Sequence, residues 1–170
     1  MTRFAFLIPL VAACSVDDGG SSCTTGTTDT CTGSNVCTKS GCATAFPNTY
    51  EITALSVTAP LTKSNGDPWS TTNADGSPSL YVEISVGGSL VKTTDVTANS
   101  YNATYAGPFE VSLSAANTAL DLKVSSMDGG TVDPVYDCPI PAVTASFVRT
   151  GYILCMDTGV TLNANIHVKD

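Results

Sequence analysis

The sequence predicts an all-β fold, an antiparallel two-sheet β-sandwich of about eight strands, set behind a cysteine-rich linker. Three observations carry this expectation. Apolar and polar residues alternate with period two in several segments after residue 47. Clusters of Gly, Pro, Asn and Asp separate those segments. Only 13% of the residues are charged while Ser, Thr, Gly and Asn abound, a composition of exported β-proteins rather than of helical cytosolic enzymes. An apolar fraction of 42% over 170 residues is enough for one core with appendages.

Residues 1–13 carry one positive charge at Arg3, an apolar run from Phe4 and small residues up to the first cysteine. This pattern is that of an export signal, and the run falls short of the ~20 apolar residues that a membrane-spanning helix needs. Val11-Ala12-Ala13-Cys14 resembles the lipobox of bacterial lipoproteins, in which cleavage occurs before an acylated cysteine. The resemblance implies a lipid on Cys14, a membrane partner reached through that lipid, and residence in the bacterial cell envelope. Ser15 after the cysteine implies sorting to the outer membrane, although Asp17 and Asp18 follow closely. Each buried CH₂ of the acyl chains adds about 0.8 kcal/mol, so several chains would anchor the protein permanently. Setting Cys14 aside leaves six of the seven cysteines, an even number suited to disulfides in an oxidising space.

Residues 14–46 are rich in Ser, Thr and Gly and nearly free of large apolar side chains, as expected of a tether. Cys23, Cys31, Cys37 and Cys42 lie within it and read as a small disulfide module, with three pairings open. Zinc is disfavoured because the CxxC spacing of zinc ribbons is absent.

Residues 47–170 hold the sandwich. Leu55 and Val57 mark an opening strand; Leu80, Val82, Ile84 and Val86 a second; Phe109, Val111 and Leu113 another; Leu120, Leu122 and Val124 a further one. Val160, Leu162, Ala164, Ile166 and Val168 mark the last, alternating with a polar face that holds His167. Weaker strand signals lie at 91–96, 143–148 and 152–156, and Gly87-Gly88 and Gly129-Gly130 read as turns. Cys138 and Cys155 are expected to form a disulfide, worth roughly 3 kcal/mol for a loop of that size.

Three local patterns, in order, resemble a C2 domain, the calcium- and phospholipid-binding β-sandwich. Ser79-Leu80-Tyr81-Val82-Glu83-Ile84 matches that family's Asp-Pro-Tyr-Val strand entry. The segment from Asn99 through Tyr101, Tyr105, Gly107 and Pro108 to Glu110 follows its Asn-Thr-x-Asn-Pro-x-Trp-Asn-x-x-Phe stretch, with Tyr105 at the Trp. Leu120-Asp121-Leu122-Lys123-Val124-Ser125-Ser126-Met127-Asp128, continued to Asp133, resembles the strand and loop carrying Asp-x-Asp and a later Asp. An immunoglobulin-like sandwich is the competing fold, since strand patterning alone fits both.

The resemblance implies a calcium site, and calcium takes six to eight oxygen ligands. Carried onto this chain, the first-loop positions fall near Ser70 or Asn73 and on Ser79, and the third-loop positions on Ser126, Asp128 and Asp133. Several expected acids are therefore Ser. Asp128 and Asp133, with Asp75 or Asp67 approaching from the first loop, are the candidate calcium ligands; the competing reading is that these residues initiate turns.

Other functions find little support. A formal charge of −8 repels nucleic acid and anionic headgroups, and Lys63, Lys92, Lys123 and Lys169 are scattered. No nucleic-acid partner is expected. The single histidine, His167, has no nucleophile motif around it, and no phosphate-cradling loop leads from a strand into a helix. The expectation is a lipid-anchored envelope protein, not an enzyme and without a cofactor beyond that calcium site, whose C2-like sandwich binds a protein or ligand that the sequence does not specify. The alternatives are a calcium-dependent ligand- or phospholipid-binding domain and a purely structural envelope protein.

Overall fold

A computed structural model of the chain describes residues 31–169. The expected signal segment, Cys14 and Cys23 lie outside the described residues. The fold opens with a hairpin of β1 (Asn35–Thr38) and β2 (Gly41–Thr44). The sandwich follows: β3 (Asn48–Thr58), β4 (Leu80–Val86), β5 (Ser89–Thr93), β6 (Asn102–Tyr105), β7 (Phe109–Leu113), β8 (Thr118–Asp128), β9 (Thr131–Val143), helix α1 (Ala145–Thr150), β10 (Tyr152–Asp157) and β11 (Val160–Val168). One sheet runs β10-β11-β3, with β6 and β7 sharing the far side of β3; the other runs β5-β4-β8-β9. All pairings are antiparallel. Because β6 and β7 act as one interrupted strand, the sandwich is effectively eight strands, as the alternation predicts.

The core lies between the sheets. Tyr50, Ile52, Leu55, Leu80, Val82, Ile84, Leu113, Leu120, Leu122, Val124, Leu162 and Ile166 are all buried. Each such aliphatic side chain contributes about 1.5–3 kcal/mol by leaving water. In β3 the buried positions change phase, from Tyr50 and Ile52 to Leu55 and Val57. Ala54, at φ 50°, is the extra residue that makes the change, where the register to β11 shifts. Opposite this bulge the neighbouring strand breaks at Ala106-Gly107-Pro108. A Cβ on Gly107 would stand 2.9 Å from the Ile52 carbonyl oxygen, so only glycine lets the chain pass there.

Two hairpins of the second sheet close through Gly87-Gly88 and Gly129-Gly130, all four at positive φ, as two-residue turns between twisted strands require. The prolines Pro134, Pro139 and Pro141 mask β9 in the sequence, and the stretch holding Asp133 reads there as loop. They are tolerated because β9 is an edge strand, with one row of amides facing away from the sheet.

The strand expected at 143–148 is not formed. Val143 ends β9, and Thr144 caps a short helix by accepting from the Phe147 amide at 3.1 Å, with Gly151 in the left-handed conformation ending it. The local cap outweighs the apolar pattern of that stretch.

The stretch before residue 47 also differs from a bare tether. From Cys31 onward it packs on the sandwich: Val36 and Ala45 belong to the core, the Tyr50 hydroxyl donates to the Ala45 carbonyl at 2.6 Å, and the Arg149 guanidinium donates to the carbonyls of Gly33 and Asn35. Of the three pairings open in the sequence, the structure shows Cys31–Cys42, across the β1–β2 hairpin; Cys37 is buried.

Cys138–Cys155 forms as expected. It joins β9 to β10, the edge strands of opposite sheets, and so staples the sandwich along one open side. With its two cysteines 17 positions apart in sequence, replacing both by serine is expected to lower stability by about 3 kcal/mol, read as a fall in the thermal midpoint without loss of β-sheet circular dichroism.

Candidate functional site

The candidate site is the pole of the sandwich formed by residues 59–79, residues 94–101 and the β8–β9 turn. The register fixes this grouping: Thr58 pairs with Asn102, and Leu80 pairs with Ser126, so the long loop between β3 and β4 is delivered beside the end of β8. The hairpin β1–β2 and helix α1 lie at the opposite pole, where β3 starts.

The long loop is ordered by its own hydrogen bonds. Trp69 is buried and donates through Nε1 to the Pro60 carbonyl at 2.7 Å; the Trp69 and Ser70 amides both donate to the Gly76 carbonyl. Asn73 donates to the Ser77 carbonyl at 2.7 Å, and Tyr101, from the neighbouring loop, donates to the Asp75 carbonyl at 3.1 Å. Asn65 Nδ2 donates to the Asp67 carboxylate at 2.7 Å.

Asp128, at the end of β8, is clasped by this loop. Its Oδ1 accepts from the Ser70 hydroxyl at 2.9 Å and the Thr72 hydroxyl at 3.0 Å; its Oδ2 accepts from the Thr71 amide at 3.1 Å and the Thr71 hydroxyl at 3.4 Å. The Thr71 amide first, then the Ser70 and Thr72 hydroxyls, hold the Asp128 carboxyl below its ordinary value. Asp133, paired with Ser126 across the hairpin, takes the Lys63 ammonium at 2.7 Å. Asp75 serves its own turn, accepting from the Ser77 hydroxyl at 2.7 Å and its amide at 3.1 Å, and the hydroxyl chiefly lowers its carboxyl. The Ser126 hydroxyl is buried and has no partner among the described residues.

The structure thus places Asp75, Asp128 and Asp133 at one pole and gives each a separate set of donors. Among the described residues no three His, Cys, Asp or Glu side chains form a group that could hold a metal ion. Calcium needs oxygen lone pairs aimed at a common centre. Here the carboxylate lone pairs receive hydroxyl and amide protons, and a lysine ammonium occupies Asp133, so these residues do not fit a calcium ion. Of the two first-loop candidates, Ser70 is the one that reaches Asp128.

Sequence reasoning misses the donors. Ser70-Thr71-Thr72 follows Trp69 as an ordinary polar run, and Lys63 counts only as one of several scattered lysines. Outside the clasp, the pole exposes apolar side chains: Leu61 is 74% exposed, and Met127 and Val132, cross-strand neighbours, are 39% and 48% exposed. His167 is remote from the pole; it lies 3.4 Å from Glu51, its cross-strand partner.

No protein-family model and no curated protein matches the sequence. Solved structures do match. A C2 domain superposes with a TM-score of 0.52 at 18% identity, covering 72% of this chain and 98% of that one. A C2 domain of plant Extended Synaptotagmin 1 gives 0.51 at 10%, covering 72% and 95%. A chain holding two C2 domains of Extended-Synaptotagmin 2 gives 0.52 at 11%, covering 73% of this chain and 42% of that one. At these identities the likeness is one of fold: the chain is a β-sandwich of the C2 type, and the immunoglobulin-like alternative is set aside.

The clasp makes a signed pH prediction. A carboxyl held below 3.8 when folded contributes stability that is present above its unfolded value, about 3.9, and lost as pH falls through the folded value. Asp128→Asn, which cannot ionise, is expected to melt below the wild type at pH 7, and the two melting curves should converge below about pH 4. A gap that stayed constant down to pH 2 would show that charge plays no part in the clasp.

Proposed function

We propose that the chain is an exported, lipid-anchored protein of the bacterial cell envelope, sorted to the outer membrane, whose sandwich is a non-catalytic, calcium-independent binding module. One observation carries the second half of this reading: the Ser70-Thr71-Thr72 clasp on Asp128, with Lys63 on Asp133, satisfies internally the carboxylates that a calcium site would use. A loop pole ordered in this way presents a preformed surface, and Leu61, Met127 and Val132 on its rim are the contacts that a partner would cover. The pairing of His167 with Glu51 on an outer strand face supports the non-catalytic reading.

The anchoring half rests on the lipobox-like Val11-Ala12-Ala13-Cys14. The chain enters the described fold at Cys31, at the pole opposite the apolar rim.

Two measurements test the reading. Cys14→Ser is expected to move the protein from the membrane fraction to the soluble fraction; retention with the membrane would refute anchoring through this cysteine. The melting temperature is expected to be unchanged by calcium up to about 5 mM, a concentration that loads even weak extracellular sites. A rise with calcium and none with magnesium, abolished in Asp128→Asn, would instead establish a calcium-dependent domain.

A further inference from the structure

The loop that Lys63 ties to Asp133 contains the sequence's one Asn-Gly step, Asn65-Gly66. Both residues are exposed, and Gly66 stands at φ 89° with nothing within 4 Å of the place a Cβ would take. A glycine after an asparagine leaves its backbone nitrogen unshielded, so that nitrogen can reach the side-chain carbonyl carbon of the residue before it. The reaction between them is intramolecular and closes a five-membered ring, which makes the asparagine amide chemically labile.

In the folded chain, hydrogen bonds hold the reacting groups apart. The Gly66 amide donates to the Lys63 carbonyl at 2.9 Å, and the Lys63 amide donates to the Asp67 carbonyl at 2.8 Å. Asn65 Nδ2 donates to the Asp67 carboxylate at 2.7 Å, and Asn65 Oδ1 accepts from the Asp67 amide at 3.1 Å. The attacking nitrogen is engaged with one residue and both ends of the target amide with another. Attack therefore requires the turn to open as a unit. Lys63, at the base of this exposed turn, binds it to β9 through the Asp133 carboxylate at 2.7 Å.

We propose that Asn65 is a site of spontaneous deamidation, and that the Lys63–Asp133 pair sets its rate by keeping the turn closed. In the open turn the Gly66 nitrogen attacks Asn65 Cγ. A new N–C bond forms, the Gly66 proton passes to water or hydroxide, and the side-chain nitrogen takes up a proton and leaves as ammonia. Water then opens the resulting succinimide at either carbonyl, giving aspartate or isoaspartate. Either product adds a negative charge two residues from Lys63 and two from Asp67. Isoaspartate also carries the main chain through the side-chain carbon, one methylene longer, so the bonds between Lys63, Gly66 and Asp67 no longer match. Lys63 is then released from Asp133, and the loop pole loses one of the ties that order it. Asn73, on the same loop, is the contrasting case: Ala74 follows it and crowds the attacking nitrogen, and its Nδ2 is held by the Ser77 carbonyl at 2.7 Å.

The test is mass spectrometry of the full chain, disulfides intact, held at about pH 8 and about 37 °C and digested after its basic residues at successive times. Lys63 and Lys92 bracket Asn65 and Asn73 in one peptide. The expected result is a gain of about 1 Da at Asn65 and none at Asn73, with a faster gain at Asn65 in the urea-unfolded chain. Asp133→Asn removes the ion pair and creates no second labile step, because Pro134 has no amide proton. It should accelerate the reaction at Asn65 by about 2- to 5-fold, the range of an exposed ion pair. Lys63→Arg, which keeps the charge, should react at the wild-type rate. An Asn65 that stays unmodified in both the folded wild type and folded Asp133→Asn would overturn the proposal. So would a wild type that reacts as fast folded as unfolded, or an Asp133→Asn variant with the wild-type rate.

Discussion

Strand β3 is the element on which the sandwich depends. It pairs with β11 on one side and with β6 and β7 on the other, and it must direct Tyr50, Ile52, Leu55 and Val57 into a single core although the two pairs are out of phase. A strand with strict alternation would bury one pair and expose the other. The bulge at Ala54 resolves the conflict, and the break at Ala106-Gly107-Pro108 is its counterpart on the neighbouring strand. Were either half of β3 to slip by one residue, its apolar side chains would face water and the loop pole at its far end would lose its support.

That loop pole is held together by side chains of the chain itself. Residues 59–79 must be fixed against the end of β8. The chain does this with a carboxylate that receives three hydroxyls and one amide, together with a lysine–carboxylate pair. Both devices lie within one chain and require no ion. The Lys63–Asp133 pair is partly exposed and by itself worth little; its effect is to neutralise Asp133 and draw the start of the long loop toward β9. The Asp128 network does more of the ordering, because several donors from three consecutive residues converge on one side chain.

Much of the fold is legible in the sequence. Strands β4, β7, β8 and β11 follow from alternation, and the glycine pairs mark their turns. Strand β9 is hidden because its prolines are penalised by any local rule, and only its place at a sheet edge makes them acceptable. Helix α1 escapes because a Thr cap and a C-terminal glycine decide six residues whose apolar pattern also suits a strand. The packing of residues 31–46 escapes because Val36 and Ala45 are too few to announce a core and become buried only when the sandwich supplies the other side. At the candidate site the acids are legible and their donors are not, since Ser70, Thr71, Thr72 and Lys63 lie 56 to 70 residues from the carboxylates they meet.

Side-chain periodicity is a local property of the backbone, and so the class of fold can be read from the chain before any coordinates exist. The Cys138–Cys155 pairing can be read too, as far as parity and spacing reach, and so can the presence of acidic residues in the loops. Which donors those acids meet is decided by the three-dimensional fold. Whether a carboxylate's lone pairs meet a cation or a ring of hydroxyl protons depends on which distant loop is folded against it, and no spacing along the chain encodes that encounter.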